Sequence, residues 1–66
     1  MNILVNGESR TLSDGATLAD LLATLDLAGR RIAVEINEEI VPKSLHGQTR
    51  LQDGDCVEIV HAIGGG

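Results

Sequence analysis

The residues whose types and placement suggest chemistry are the last three of the sequence, Gly64, Gly65 and Gly66. Glycine has no Cβ, so a run of glycines fits a narrow tunnel in a partner enzyme where a side chain would clash. The carboxylate of Gly66 would then be the reacting group. Because a carboxylate is a poor electrophile, it must first be activated, most simply as an acyl-adenylate made from ATP in the partner's site. We therefore expect residues 64–66 to form a flexible tail and Gly66 to be the modified residue.

The rest of the chain offers little chemistry of its own. The glycines at 64–66 precede no helix, so they do not form a phosphate-binding loop. His46 and His61 are isolated, and no set of Cys, His and Asp has the spacing of metal ligands. Cys56 has no neighbouring cation or histidine to activate its thiol. We expect no bound cofactor, no metal and no catalytic residue, with ATP used by the partner. An unstructured end or a cloning remnant would also leave terminal glycines.

Length and composition favour a small protein on which other enzymes act. A chain of 66 residues has little room for an enclosed active site of about 300–1,000 Å³. It has no aromatic residue on which a base could stack, and its net charge of −5 repels phosphate backbones and anionic membranes. We therefore expect no nucleic acid and no membrane as partners. We expect the protein to be in the cytoplasm, because the sequence has one cysteine, no export segment and no long apolar stretch.

The element with the clearest pattern is a helix. Its apolar stripe consists of Leu18, Leu21, Leu22 and Leu25. This spacing of three and four residues puts the leucines on one helical face and predicts a helix over about 18–27. Thr17 is placed to cap its N-terminus, and Gly29 is placed to end it.

Short hydrophobic runs and turn signals predict five strands, at 3–5, 9–12, 32–36, 40–41 and 56–61. This order is that of an α+β fold, because the leucine stripe has only the sheet to pack against. We expect one domain over residues 1–63, with a mixed sheet of four to five strands whose first and last members are parallel neighbours. The side chains expected in its core are Ile3, Val5, Leu12, Leu18, Leu21, Leu22, Leu25, Val34, Ile36, Val57 and Ile59.

The sheet face turned away from the helix has no predicted element to cover it. Leu4, Val60 and Ile63 supply apolar area there, and Glu35 and Glu58 supply negative charge. Apolar contacts that hold a partner and charges that steer it are typical of an interface. We predict that these five residues, here called the docking face, recognise the activating enzyme.

Segments along nearly the whole chain resemble the thiamine-biosynthesis sulfur carrier (ThiS) family of the β-grasp, ubiquitin-like superfamily. They are Ile-Leu-Val-Asn-Gly-Glu at 3–8, Thr-Leu-Ala-Asp-Leu-Leu at 17–22, Ala-Val-Glu-Ile-Asn at 33–37, Glu-Ile-Val-Pro at 39–42, Leu-Gln-Asp-Gly-Asp at 51–55, Val-Glu-Ile-Val at 57–60 and Gly-Gly at 65–66. Glu38 stands where that family usually has glycine, so the turn must place its residue of positive φ at Asn37 or change type.

The resemblance implies a β-grasp fold and a role as sulfur carrier in the synthesis of the thiazole moiety of thiamine. It implies that Gly66 is adenylated by a ThiF-type, E1-like enzyme using ATP. The adenylate would become a thiocarboxylate, with sulfur that comes from cysteine through a desulfurase, and would donate that sulfur to thiazole synthase.

Three other functions stay open. The same tail chemistry serves the small subunit of molybdopterin synthase, although those chains are usually longer and carry aromatic residues that this one lacks. A protein modifier would form an isopeptide bond between its tail and a lysine. A plain β-grasp binding module would have an inert tail.

Overall fold

A five-stranded mixed sheet with one α-helix on one face makes up the part of the chain that the computed structural model describes, residues 1–61. In chain order the elements are β1 (Asn2–Val5), β2 (Glu8–Thr11), α1 (Leu18–Thr24), β3 (Ile32–Ile36), β4 (Glu39–Val41), a 3₁₀ helix (Lys43–Leu45) and β5 (Cys56–His61). The strand order is β2-β1-β5-β3-β4, with β5 parallel to β1 and antiparallel to β3. The predicted bounds of β3 and β5 and the parallel pairing of the first and last strands are confirmed. Among these residues no helix has the length and hydrophobicity that crossing a bilayer requires.

The helix α1 begins where its capping residues lie. The Thr17 hydroxyl accepts a hydrogen bond from the Asp20 backbone N–H at 3.2 Å, and the Asp20 carboxylate accepts one from the Thr17 N–H at 2.9 Å. This reciprocal pair is a capping box, which supplies partners for N–H groups that a helix start leaves unpaired. The N-cap predicted at Thr17 is confirmed.

The helix ends earlier than predicted, at Thr24 rather than near residue 27. Asp26 has a φ of 60°, and the Leu27 N–H bonds to the Leu22 carbonyl oxygen at 2.8 Å. This is the long bond of a Schellman motif, in which the residue after the C-cap takes a left-handed conformation. The prediction that Gly29 ends the helix is therefore wrong. Asp26 ends it, because the chain turns back there and packs Leu27 against the core.

Nine apolar side chains form the core between α1 and the sheet. They are Ile3, Val5, Leu18, Leu21, Leu22, Val34, Leu51, Val57 and Ile59. All but Leu51 are predicted core residues. Leu51 lies in the irregular segment before β5, where no hydrophobic period marks it, and its N–H bonds to the Ala16 carbonyl oxygen at 2.9 Å. The predicted core residues Leu12, Leu25 and Ile36 are only half-buried, at the margin of the core.

The turn between β3 and β4 contains two residues with left-handed backbone, Asn37 at φ 51° and Glu38 at φ 70°. A two-residue hairpin loop with positive φ at both positions matches a type I′ turn, for which Asn-Gly is a preferred pair. Asn37 takes positive φ as expected, but Glu38 takes it as well. Because the Cβ of Glu38 crowds its backbone in this conformation, the turn is strained.

Candidate functional site on the exposed face of the sheet

The central strand β5 leads by sequence into the predicted tail. Its last residue, His61, pairs with Ile32 of β3, and residues 62–66 follow. The predicted domain boundary at 63, Ile63 of the docking face, and the tail glycines at 64–66 lie outside the described residues. Their roles, including the modification of Gly66, therefore stay predictions.

The structure brings the four described residues of the docking face together. Glu58 and Val60 are alternate residues of β5, Glu35 of β3 pairs directly with Glu58, and Leu4 of β1 pairs with the first residue of β5. Alternate residues of a strand and directly paired residues share a face of the sheet, so all four point away from α1. Leu4 is 43% exposed and Val60 is 59% exposed. The face thus combines open apolar area with two carboxylates.

The two carboxylates of this face oppose each other across the β3–β5 ladder. Glu35 is half-buried and Glu58 is exposed. Neither takes part in an ion pair within the described part of the chain. Like charges directly opposite one another destabilise a sheet. A cationic group brought by a partner would relieve this repulsion, so the pair is suited to bind a lysine or arginine.

Ile40 extends the apolar area beside the docking face and is absent from the prediction. It pairs directly with Glu35 across the β3–β4 ladder and is 74% exposed. The signal that could have found it is the two-residue turn at 37–38, because a turn of that length fixes the register and puts Ile40 on the outer face.

Cys56 and His46 differ in what surrounds them. Cys56 is exposed at the start of β5, on the face that carries Glu58, as the alternation along the strand predicts. His46 is buried, and its ring Nε2 lies 3.1 Å from the Val41 carbonyl oxygen, a contact that ties the 3₁₀ segment to the end of β4. Within residues 1–61, no group of three or more His, Cys, Asp and Glu side chains could hold a metal ion.

The fold places the chain in a class of protein. Parallel first and last strands at the centre of a mixed sheet, with one helix on one face, define the β-grasp fold of ubiquitin-like proteins. The same arrangement is found in the crystal structure of the thiamine biosynthesis protein ThiS from Geobacter metallireducens. The TM-score is 0.85 at 33% sequence identity, and all of both chains is covered. The predicted fold class is confirmed.

The sequence comparisons name the family. The model of the ThiS family matches residues 3–66. The sulfur carrier protein ThiS of Escherichia coli is 36% identical over 66 residues, which is all of both chains. The thiazole synthase of Paramagnetospirillum magneticum is 48% identical over all 66 residues of this chain. The chain spans about a fifth of the length of the thiazole synthases that it matches. The chain belongs to the ThiS family.

Proposed function

We propose that this protein carries sulfur for the synthesis of the thiazole moiety of thiamine, as a thiocarboxylate at Gly66. The observation that carries the proposal is the alignment of the whole chain, glycines included, with the full length of the Escherichia coli relative named sulfur carrier protein ThiS. The match of the family model through residue 66 supports it.

The proposed chemistry takes place at the Gly66 carboxylate in two steps. One carboxylate oxygen attacks the α-phosphorus of ATP, and pyrophosphate leaves. The resulting acyl-adenylate has an electrophilic carbonyl carbon. Hydrosulfide, which a thiol reductant releases from the persulfide that a desulfurase forms with cysteine sulfur, then attacks that carbon, and AMP leaves. The product is a thiocarboxylate, whose sulfur is a softer and better nucleophile than the oxygen it replaces.

An E1-like, ThiF-type enzyme would supply the ATP site and the catalysis for these steps. This chain supplies the reacting carboxylate, so it is a co-substrate and not a catalyst. Because the reaction consumes ATP, we place it in the cytoplasm.

We propose that the docking face binds the activating enzyme. Leu4 and Val60 supply the exposed apolar area that holds a partner. Glu35 and Glu58, which form no ion pair among residues 1–61, supply negative charge that steers a basic surface. Gly66 is five positions beyond His61, which is a reach of up to about 17 Å. Gly66 would therefore reach an active site of that partner that lies within this distance of His61.

We propose thiazole synthase as the acceptor of the sulfur. The thiazole synthases of Paramagnetospirillum magneticum and Magnetococcus marinus each contain a segment that aligns with all 66 residues of this chain, at 48% and 42% identity. A module that is part of the synthase polypeptide in those organisms is suited to deliver sulfur to such an enzyme here.

The test is ATP–pyrophosphate exchange by the cognate activating enzyme with variants of the last residues. Adding one residue after Gly66, or deleting Gly66, moves the carboxylate by up to about 3.5 Å, which is enough to lose alignment with the α-phosphate. Gly65→Val adds a β-branched side chain that a narrow tunnel would exclude. All three variants should lose exchange. Gly47→Val is the control, because a Cβ there meets no atom within 4 Å, and it should retain exchange. Full exchange from the extended or truncated chain would refute the proposal.

A further inference from the structure

The side chain of Asn6 holds the C-terminal half of β5. Its Oδ1 accepts a hydrogen bond from the Ile59 N–H at 2.8 Å, and its Nδ2 donates one to the Ile59 carbonyl oxygen at 3.2 Å. Strand β1 ends at Val5, and the chain turns towards β2 with Asn6 at φ 50°. The amide of Asn6 therefore takes the place that the next residue of β1 would occupy as the partner of β5.

This contact lies close to the end of the strand. Ile59 is two residues before His61, and on the other edge of β5 the pairing with β3 extends to Ile32 and His61. With hydrogen bonds on both edges, the direction of β5 is fixed as it approaches residue 62. A change in that direction would move the end of β5 at His61, from which the chain continues to the reacting group five residues further on.

A second asparagine holds the opposite end of the same strand. The Asn37 Oδ1 accepts a hydrogen bond from the Cys56 N–H at 3.0 Å, and its Nδ2 donates one to an Asp55 carboxylate oxygen at 3.0 Å. Asn37 also follows a strand directly and has a φ of 51°. The two asparagines thus have the same backbone conformation and the same number of side-chain hydrogen bonds, at opposite ends of β5.

We propose that Asn6 is a positioning residue for the activation of Gly66, because its amide fixes the direction in which β5 delivers the residues that react. This inference rests on the proposed function. Asn37 holds the start of β5, so it contributes to stability without setting the direction of the C-terminal end.

The experiment compares Asn6→Gly with Asn37→Gly, since glycine removes the amide and accepts a positive φ without strain. ATP–pyrophosphate exchange by the activating enzyme is measured at a temperature at which both variants are folded. Asn6→Gly should lower kcat at least about tenfold, because a misplacement of about 1 Å costs up to ~10²-fold. It should change KM by a smaller factor, because Leu4 and Glu35 of the docking face lie on β1 and β3. Asn37→Gly should change neither by more than about threefold. Amide hydrogen exchange should show lost protection at Ile59 in Asn6→Gly alone.

Each other outcome has a defined meaning. An unchanged kcat in Asn6→Gly overturns the inference, and so does retained protection of the Ile59 amide. Equal falls of kcat in the two variants also overturn it, because the effect would then follow general destabilisation. If the unaltered protein itself supports no exchange, the proposed function fails and this inference fails with it. If the unaltered protein supports exchange and these outcomes are seen only in the variants, this inference is wrong but the proposed function is retained.

Discussion

Removing one of the two opposed carboxylates of the docking face should stabilise the free protein. Glu58 and Glu35 are directly paired across β5 and β3, so their Cβ atoms lie about 4.5–5.5 Å apart. Two unit charges about 5 Å apart in water repel by about 0.8 kcal/mol before screening. Measured cross-strand pairs fall in the range of about 0.2–1 kcal/mol. We therefore expect Glu58→Gln to raise the free energy of unfolding by about 0.2–0.8 kcal/mol at low ionic strength.

Urea denaturation measures this effect, and two variants control it. Glu39→Gln removes an exposed carboxylate that pairs with Ile36 instead of an acid, so it should give no comparable gain. The double variant Glu35→Gln/Glu58→Gln should be no more stable than the better single variant, because only one repulsion is there to be lost. In about 1 M salt, where the Debye length is about 3 Å, the gain should disappear. Equal gains in Glu58→Gln and Glu39→Gln, or additive gains in the double variant, would show that repulsion between Glu35 and Glu58 is not the cause.

The same variant should bind the activating enzyme less tightly. Titration calorimetry at low salt should show a dissociation constant raised about three- to tenfold in Glu58→Gln, mainly because association is less well steered. Glu39→Gln should bind like the unaltered protein. A variant that is both more stable and weaker in binding would show that the carboxylate pair serves the partner at the expense of the fold. Unchanged affinity would show that these carboxylates do not contribute to binding of the activating enzyme.

Three further changes test the core, the apolar part of the docking face and the strained turn. Leu22→Ala, at a side chain only 4% exposed, should cost about 2–5 kcal/mol in urea denaturation, whereas Leu45→Ala at an exposed site should cost less than about 1 kcal/mol; similar losses would mean that the helix face is wrongly assigned. Val60→Asp should weaken binding of the activating enzyme at least about tenfold while the protein stays folded, and retained affinity would place recognition elsewhere. Glu38→Gly should stabilise by about 0.5–1 kcal/mol, since the left-handed strain of about 1–2 kcal/mol exceeds the entropic cost of glycine. Glu38→Ala keeps the Cβ and should give no such gain, so equal effects of the two changes would show that charge and not strain is responsible.

Local chemistry in the sequence is enough to predict the start of the helix but not its end. Thr17 and Asp20 satisfy each other's backbone groups within one turn, so the N-cap needs no information from elsewhere in the chain. At the other end, Gly29 is the better residue for a left-handed conformation. Asp26 takes that role because Leu27 packs against the core. Tertiary packing therefore decides which residue ends the helix, and no local sequence pattern reveals those contacts.

Some features of the candidate site can likewise be predicted from local sequence, and others depend on the path of the whole chain. Alternation along β5 suffices to place Glu58 and Val60 on the uncovered face. Leu51 is not part of a helical or strand pattern of apolar residues, so its burial follows only from the path of the chain. The hydrogen bonds of Asn6 to Ile59 join residues 53 apart in sequence. An asparagine before glycine predicts a turn, but nothing local indicates which strand its side chain reaches.

Intact-mass spectrometry measures whether Gly66 becomes a thiocarboxylate. The protein is incubated with its activating enzyme, ATP, cysteine and a desulfurase, and a Cys56→Ser variant is treated in parallel to remove the alternative sulfur site. Both proteins should gain the mass difference between one sulfur and one oxygen, and fragmentation should assign it to Gly66. An unchanged mass beside an active enzyme, or a gain that is lost in Cys56→Ser, would show that Gly66 does not carry the sulfur. An isopeptide bond to a lysine of another protein would show that the chain is a protein modifier instead.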